Sequence, residues 1–304
     1  MFFSKPIDEI ISGRKSVRTY KDIAIPKKDK SAINDFISRD LQTPFNSEIR
    51  FEIIETAELD RDQLRSLGTY GMINGAKNFI AGTVKKDTTP DGKISIAAEK
   101  FIDYGFALEK IILYLTDEGF GTCWLGGTFN KAGFAKKINV ADNEMIPAVT
   151  PFGYEGARRA LVDRMIRGIA GSNHRRQWSE SFFNGNFATP LSIEEASVYA
   201  KPLEMVMIAP SASNKQPWRI LKDKQTKMFH LFLQRTKNYN KIPLGVDIQV
   251  LDMGIAMCHF ELTCHELGIE GCWQKLKSAE VLAGMDIQLP DDSISYIATW
   301  DICP

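Results

Sequence analysis

The apolar positions of this chain form two long helical stripes and a series of short strand-like runs. Asp103-Tyr-Gly105-Phe-Ala107 opens a stripe in which Leu108, Ile111, Ile112 and Leu115 recur at helical spacing. It ends at Gly119 and is followed by Gly121-Thr122-Cys123-Trp124. Asp252-Met-Gly254-Ile-Ala256 opens a second, with Ile255, Phe260, Leu262 and Leu267; it ends at Gly268 and leads into Gly271-Cys272-Trp273. Stripes this broad predict helices buried on more than one side. Matching residues lie a constant 149 positions apart, and seven of the 22 positions in 103–124 and 252–273 are identical. Chance gives roughly one or two, so a gapless match through a helix and into the next strand predicts an internal duplication. The small residues Gly105, Ala107, Gly254 and Ala256 would let the two helices approach closely. The natural packing is helix on helix across a pseudo-twofold axis, as in a homodimer fused into one chain.

The remaining runs read as strands. Arg50-Phe-Glu-Ile-Ile54 follows a polar loop at Thr43-Pro-Phe-Asn46, and Arg219-Ile-Leu221 follows a longer one at 209–218. Residues 76–81 and 227–233 are the next strands, and 146–152 and 294–300 are late strands of each half. Strands and long helices without strict alternation predict an α+β class. The expected organisation is a first half over 1–154, a basic connector over 155–190 and a second half over 191–304. The connector carries Arg158, Arg159, Arg164, Arg167, Arg175 and Arg176, with Leu161, Met165 and Ile169 on one face of a short helix.

Composition narrows the function. Lys+Arg and Asp+Glu are 38 each in 304 residues, which removes a global electrostatic case for nucleic-acid binding. No apolar run reaches the roughly 18 residues of a membrane span. The opening Met1-Phe-Phe-Ser-Lys5-Pro turns polar at once, without a secretory pattern. Five cysteines without framework spacing read as reduced thiols, so the expected compartment is the cytoplasm. Cys258-His259 and Cys264-His265 suggest zinc, but 258 and 265 would stand about 10 Å apart along a helix, and no four ligands converge. There is no Gly-x-Ser-x-Gly elbow, no Gly-x-Gly-x-x-Gly after a strand and no Walker lysine.

Three segments keep a chemical reading beside a plain one. Arg14-Lys15-Ser16-Val17-Arg18 places cationic forks and a hydroxyl within reach of one phosphate, or is a solvated basic stretch. Pro210-Ser211-Ala212-Ser-Asn214-Lys-Gln216-Pro-Trp218 offers polar groups to the edge of a flat heterocycle, or is an ordinary helix-to-strand turn. Leu125-Gly126-Gly127, after Trp124, leaves backbone N–H groups open to a planar ligand.

Together these segments resemble the FMN-dependent nitroreductase superfamily. Arg14-x-Ser16-x-Arg18 is similar to its phosphate motif, 210–218 to its flavin-edge loop, and 103–127 to its dimer-core helix and the strand beside the flavin ring. The resemblance covers most of the chain. It implies an internally duplicated fold, a single-chain pseudo-dimer with two mixed sheets around a central helical core, working as a monomer. It also implies one bound FMN between the halves. Arg14, Ser16 and Arg158 or Arg159 would hold the phosphate, and Lys15 and Arg18 would lie toward the ribityl chain and ring edge. Pro210, Ser211, Ala212, Asn214 and Gln216 would line the ring from the second half. Leu125, Gly126 and Gly127 would flank the ring, with a Gly126-region N–H toward N5 and Thr69 near the pyrimidine edge. A second site, from Thr43-Pro-Phe-Asn46 and His174-Arg-Arg-Gln177, would be degraded and empty. The implied activity is NAD(P)H-driven reduction of nitroaromatic or quinone-like acceptors by a ping-pong cycle, with the flavin carrying the chemistry. No catalytic side chain, metal, nucleic acid or membrane is required. Flavin binding without turnover, or another flavin chemistry on this scaffold, are the alternatives.

Overall fold

The computed structural model describes residues 3–55, 73–89, 91–157, 174–226, 228–237, 239, 245–284 and 287–302. In the first half, the elements are α1 (Ile7–Gly13), α2 (Lys27–Ile37), β1 (Ile49–Glu55), β2 (Asn78–Lys85), β3 (Asp87–Thr88), β4 (Ile94–Ser95), α3 (Ala98–Asp117), β5 (Gly121–Thr122), α4 (Lys131–Lys137), β6 (Glu144–Met145) and β7 (Val149–Gly153). Then come α5 (Trp178–Ser181), β8 (Phe182–Asn184), α6 (Ile193–Ala196), α7 (Ala200–Met207), β9 (Trp218–Lys222), β10 (Phe229–Gln234), α8 (Ile248–Glu266), β11 (Cys272–Gln274), α9 (Ser278–Gly284) and β12 (Ile294–Asp301).

Two larger sheets result. The first has the order β1-β2-β7-β5, with β6 also on β2, and these pairings are antiparallel throughout. The second has the order β11-β12-β10-β9-β8 and is mixed, because β8 joins β9 in parallel. The expectation of two mixed sheets therefore holds for the second alone. In the first, parallel pairing is confined to single bridges, Ser16 with Thr122 and Thr19 with Asn74. The strand expected from residue 76 begins at Asn78, where its pairing with Glu55 begins. The end of the basic connector is not a free linker, since Phe182–Asn184 is the edge of the second sheet. The expected helix face of Leu161, Met165 and Ile169 lies outside the described residues.

Strand alternation explains the layering. Ile80 faces inward while Phe79 and Ala81 pack outward with Phe134 and Val149. Likewise Leu231 and Leu233 face inward while Phe232 packs outward with Leu221 and Tyr296. Both inward faces join one core with α3 and α8, which lie between the sheets. The helices have little solvent face: every residue from Phe101 to Leu115 and from Gln249 to Phe260 is buried.

The two helices meet at glycines. A Cβ on Gly105 would stand 2.1 Å from the Leu251 carbonyl oxygen, and one on Gly254 would stand 1.9 Å from that of Ile102. Ile102 and Leu251 are separated by the same 149 residues as the glycines, so the same contact is made in both directions. The adjacent aspartates repeat the relation. Asp103 accepts from the backbone N–H of Phe45 and Ser47 at 3.0 and 2.8 Å, and Asp252 accepts from that of Ala212 at 3.0 Å. Each carboxylate thus fixes the loop that leads into the following strand.

Further along the crossing, the two helices exchange charge. Glu109 Oε1 lies 2.9 Å from His259 Nε2, and the His259 Nδ1 lies 2.9 Å from the Met205 carbonyl at the end of α7. A carbonyl can only accept, so Nδ1 carries a proton. The pair is then an imidazolium facing a carboxylate, or a neutral imidazole accepting from a protonated Glu109; either way its net charge is zero. Both side chains are fully buried. The residues 149 positions away, Cys258 and Lys110, form no such pair: Lys110 Nζ donates to the Leu41 carbonyl at 2.9 Å.

Two outcomes follow for stability. Gly254→Ala forces a methyl against the Ile102 carbonyl and should cost at least the roughly 1–3 kcal/mol of overpacking, read by denaturant unfolding. Glu109→Ala leaves His259 without its buried partner and should cost about 3–5 kcal/mol by the same measurement.

Candidate functional site

The phosphate-type motif is carried on a short anchored helix. Ile7, Ile10 and Ile11 bury one face of α1. Its first N–H, at Ile7, donates to Glu266 at 2.8 Å, docking the helix on the end of α8. After Gly13 the chain becomes extended, with Arg14 at φ −66° and ψ 125°. Val17 N–H donates to the Thr122 carbonyl at 2.7 Å, and Asn74 N–H donates to the Arg18 carbonyl at 2.8 Å. The sequence 14–18 therefore runs beside β5 and the Trp124–Gly127 segment. Along it Val17 is buried while Lys15 and Ser16 are exposed. Lys15 pairs with Glu155 at 2.6 Å.

Arg14 and Arg18 behave differently from Lys15. The Nε atoms of both are buried and have no hydrogen-bond partner among the described residues. A buried donor without an acceptor is costly, on the order of 1–3 kcal/mol. Arg14 Nε does lie 3.7 Å from Glu109 Oε1, an ion-pair distance but too long for a hydrogen bond. Glu109 is occupied elsewhere: besides His259 it accepts from Trp124 Nε1 at 2.6 Å. One buried carboxylate thus ties together the motif, the segment after β5 and the second long helix.

The loop after α7 is the other polar segment. Ser213, Asn214 and Gln216 all adopt left-handed backbone, with φ of 48°, 51° and 49°. That conformation costs non-glycine residues about 1–2 kcal/mol and persists where surrounding contacts impose it. Here Asp252 holds the Ala212 N–H, and the Ser211 hydroxyl accepts from Gln216 N–H at 2.9 Å. Asp252 is fully desolvated, which pushes its carboxyl well above the ordinary range despite that hydrogen bond.

The connector closes on this loop. Arg175 Nη1 donates to the Ala209 carbonyl and to Asn214 Oδ1 at 2.9 and 3.0 Å, and its Nη2 donates to the Ile208 carbonyl at 3.0 Å. Asn214 Nδ2 and Gln216 Nε2 both donate to the His174 carbonyl, at 2.6 and 3.1 Å, and Gln216 Oε1 accepts from Arg176 N–H. The side chains of Asn214 and Gln216 are therefore engaged by 174–176. The sequence pattern places His174–Gln177 in a degraded second site; Arg175 instead sits on the Pro210–Gln216 loop and within electrostatic range of Arg14.

Other expected positions are placed less fully. Gly126 lies against Ile248 at the start of α8, with 3.6 Å from its would-be Cβ to the Ile248 side chain. Leu125 is buried and bridged to Val149, Gly127 is exposed, and Pro210, Ser211 and Ala212 are half-buried. Thr69, Arg158 and Arg159 lie outside the described residues. Sequence reasoning missed Glu109. It met His259 only as a rejected zinc ligand beside Cys258, whose thiol burial pushes well above its ordinary range.

A family model described as "Putative TM nitroreductase" matches residues 6–264. A solved "putative nitroreductase" from Thermotoga maritima shares the fold, at 20% identity, 97% coverage of this chain, 92% of that chain and a TM-score of 0.56. A nitroreductase family protein from Clostridium novyi NT matches at 25% identity over 50% of this chain and 86% of that one, with a TM-score of 0.40. An FMN-dependent nitroreductase from Clostridium difficile matches at 16% identity over 49% and 88%, with a TM-score of 0.39. No curated protein matches. Among the described residues no helix is long and apolar enough to cross a membrane. With the family model spanning most of its length, on an α+β nitroreductase-like fold, this chain belongs to the Putative TM nitroreductase family and so to the nitroreductase-type oxidoreductases.

Proposed function

We propose that this chain is an FMN-dependent oxidoreductase that holds one flavin between a first half over 1–154 and a second over 191–304. The two halves are a duplicated unit fused by the connector over 155–190. The observation that carries the proposal is the pair of buried guanidinium nitrogens at Arg14 and Arg18 that find no hydrogen bond among the described residues, on either side of the exposed Ser16. Such donors suit an anion that is not part of the protein, and a phosphomonoester matches their fork geometry. Arg14 and Ser16 would hold the phosphate end, with Arg18 toward the ribityl chain and ring edge. Leu125, Gly126 and Gly127 would flank the ring from the first half, with Pro210, Ser211 and Ala212 opposite.

When bound, FMN supplies two-electron transfer from NAD(P)H to a nitroaromatic or quinone-like acceptor. The chain's own residues bind and orient. Glu109 holds Trp124 and stands beside Arg14, and Asp252 holds the strained loop rigid. A rigid site orders few groups on binding and so loses little affinity to entropy. The Asn214 and Gln216 side chains, already engaged by 174–176, would act by shaping the loop. That engagement also favours a second reading, a flavin-binding protein without turnover. Steady-state NAD(P)H oxidation with a quinone or nitroarene separates the two, since turnover excludes the second. The helix faces that meet at Gly105 and Gly254 are satisfied within the chain, so the proposal includes a monomer.

The test is the absorbance spectrum of the purified protein together with a flavin titration. FMN should saturate at one per chain; two per chain would mean that the asymmetry between the halves is wrongly assigned. Arg14→Ala should weaken FMN binding by about 1.5–3 kcal/mol, the scale of a charge-assisted hydrogen bond. Unchanged affinity would remove Arg14 from the site.

A further inference from the structure

Arg175 lies in the connector, outside every segment that the flavin reading gives to cofactor binding. Its guanidinium is held by three neutral acceptors, Ile208 O, Ala209 O and Asn214 Oδ1. Five N–H groups are available to an arginine, so two remain. Among the described residues no carboxylate pairs with it, although it is largely removed from water. The carbonyls that grip it lie just beyond the C-terminal end of α7, where the helix dipole favours a cation.

The same helix end is reached from the other side. Met205, on the last turn of α7, accepts from His259, which meets Glu109, which lies 3.7 Å from Arg14. Arg175 thus grips the end of α7 directly from the connector, and Arg14 is linked to the same end through Glu109 and His259. Desolvation, and then the charge of Arg14, pull the Arg175 guanidinium down to about 10, so it remains a cation at neutral pH while repelling its neighbour. Two guanidinium groups, Arg14 and Arg175, thus act on one another, and among the described residues only Arg14 has a carboxylate, Glu109, beside it.

We infer that Arg175 is a phosphate-reading residue: from the connector it binds the phosphomonoester that Arg14 binds from the first half, and so sets preference for a phosphorylated flavin over the same flavin without phosphate. This rests on the flavin reading of the site. A dianion between two guanidinium groups turns their mutual repulsion into shared attraction, and it can accept the two donors that the loop leaves free. A plain structural role, bracing 208–214, would affect every flavin alike, because FMN and riboflavin share the ring that the loop would line.

The experiment compares FMN and riboflavin affinities, read from quenching of flavin fluorescence, for the full chain and for Arg175→Gln. FMN affinity should fall about ten-fold or more, as expected when one charge-assisted hydrogen bond is removed, with riboflavin affinity changed less than about two-fold. Equal losses for both flavins would make Arg175 a brace only and overturn the inference, as would unchanged FMN affinity. Should Arg175→Gln fail to fold, Arg175→Lys keeps the charge and loses the fork. It should weaken FMN about three-fold or more with riboflavin unaffected, and an equal effect on both again overturns the inference. If the unaltered chain binds neither flavin, the flavin reading itself fails, a result distinct from a lost preference.

Discussion

Everything in this fold depends on how closely α3 and α8 approach. At Gly105 and Gly254 the backbone of each helix occupies the space that a side chain of the other would need, and no other residue type leaves that space open. The close approach fixes the register of the crossing. Register in turn decides which residues face one another about one turn further on, which is why Glu109 meets His259 rather than a neighbour. It also sets the separation of the two sheets, since both inward faces pack on the same helix pair. A loosened crossing would displace Asp103 and Asp252 together, and with them both polar loops.

The charge arrangement is a consequence of that geometry. Glu109 is fully buried yet has Trp124, His259 and Arg14 around it, so its desolvation is compensated by groups from three separate segments. Each of those segments belongs to the candidate site or supports it. On the opposite wall, Asp252 holds the Ala212 N–H of a loop whose backbone would not adopt left-handed conformations unaided. The candidate site is therefore built by buried carboxylates that hold backbone and cations in place.

The sequence made the local features legible and not the tertiary ones. The paired helices could be read because their apolar spacing, their opening aspartate and glycine, and the tryptophan that follows each are contiguous. The Arg14–Arg18 stretch and the 210–218 loop were legible for the same reason. Glu109 was not, because on an apolar stripe a single acid has no meaning until its partner on another helix is known. An arginine among six in a basic stretch has no local signature, and only the carbonyls of Ile208 and Ala209 reveal what Arg175 grips. The first sheet was expected to be mixed, but the segment that pairs in parallel there, 16–19, makes single bridges instead of a strand. The edge strand Phe182–Asn184 was hidden inside a stretch whose glycines and prolines read as a linker.

The reciprocal helix contact has a kinetic meaning as well. In an assembly of separate subunits, such a contact is second order, and the population of complete sites falls as the protein is diluted. Here both helices lie on one chain, so closing the contact is an intramolecular event governed by an effective concentration that dilution leaves unchanged. Position 109 can carry glutamate while position 258 carries cysteine, and position 259 can carry histidine while position 110 carries lysine. A symmetric pair of identical subunits would have to place every such residue twice. Tethering removes that requirement, and one face of the crossing is free to specialise while the other serves only as packing.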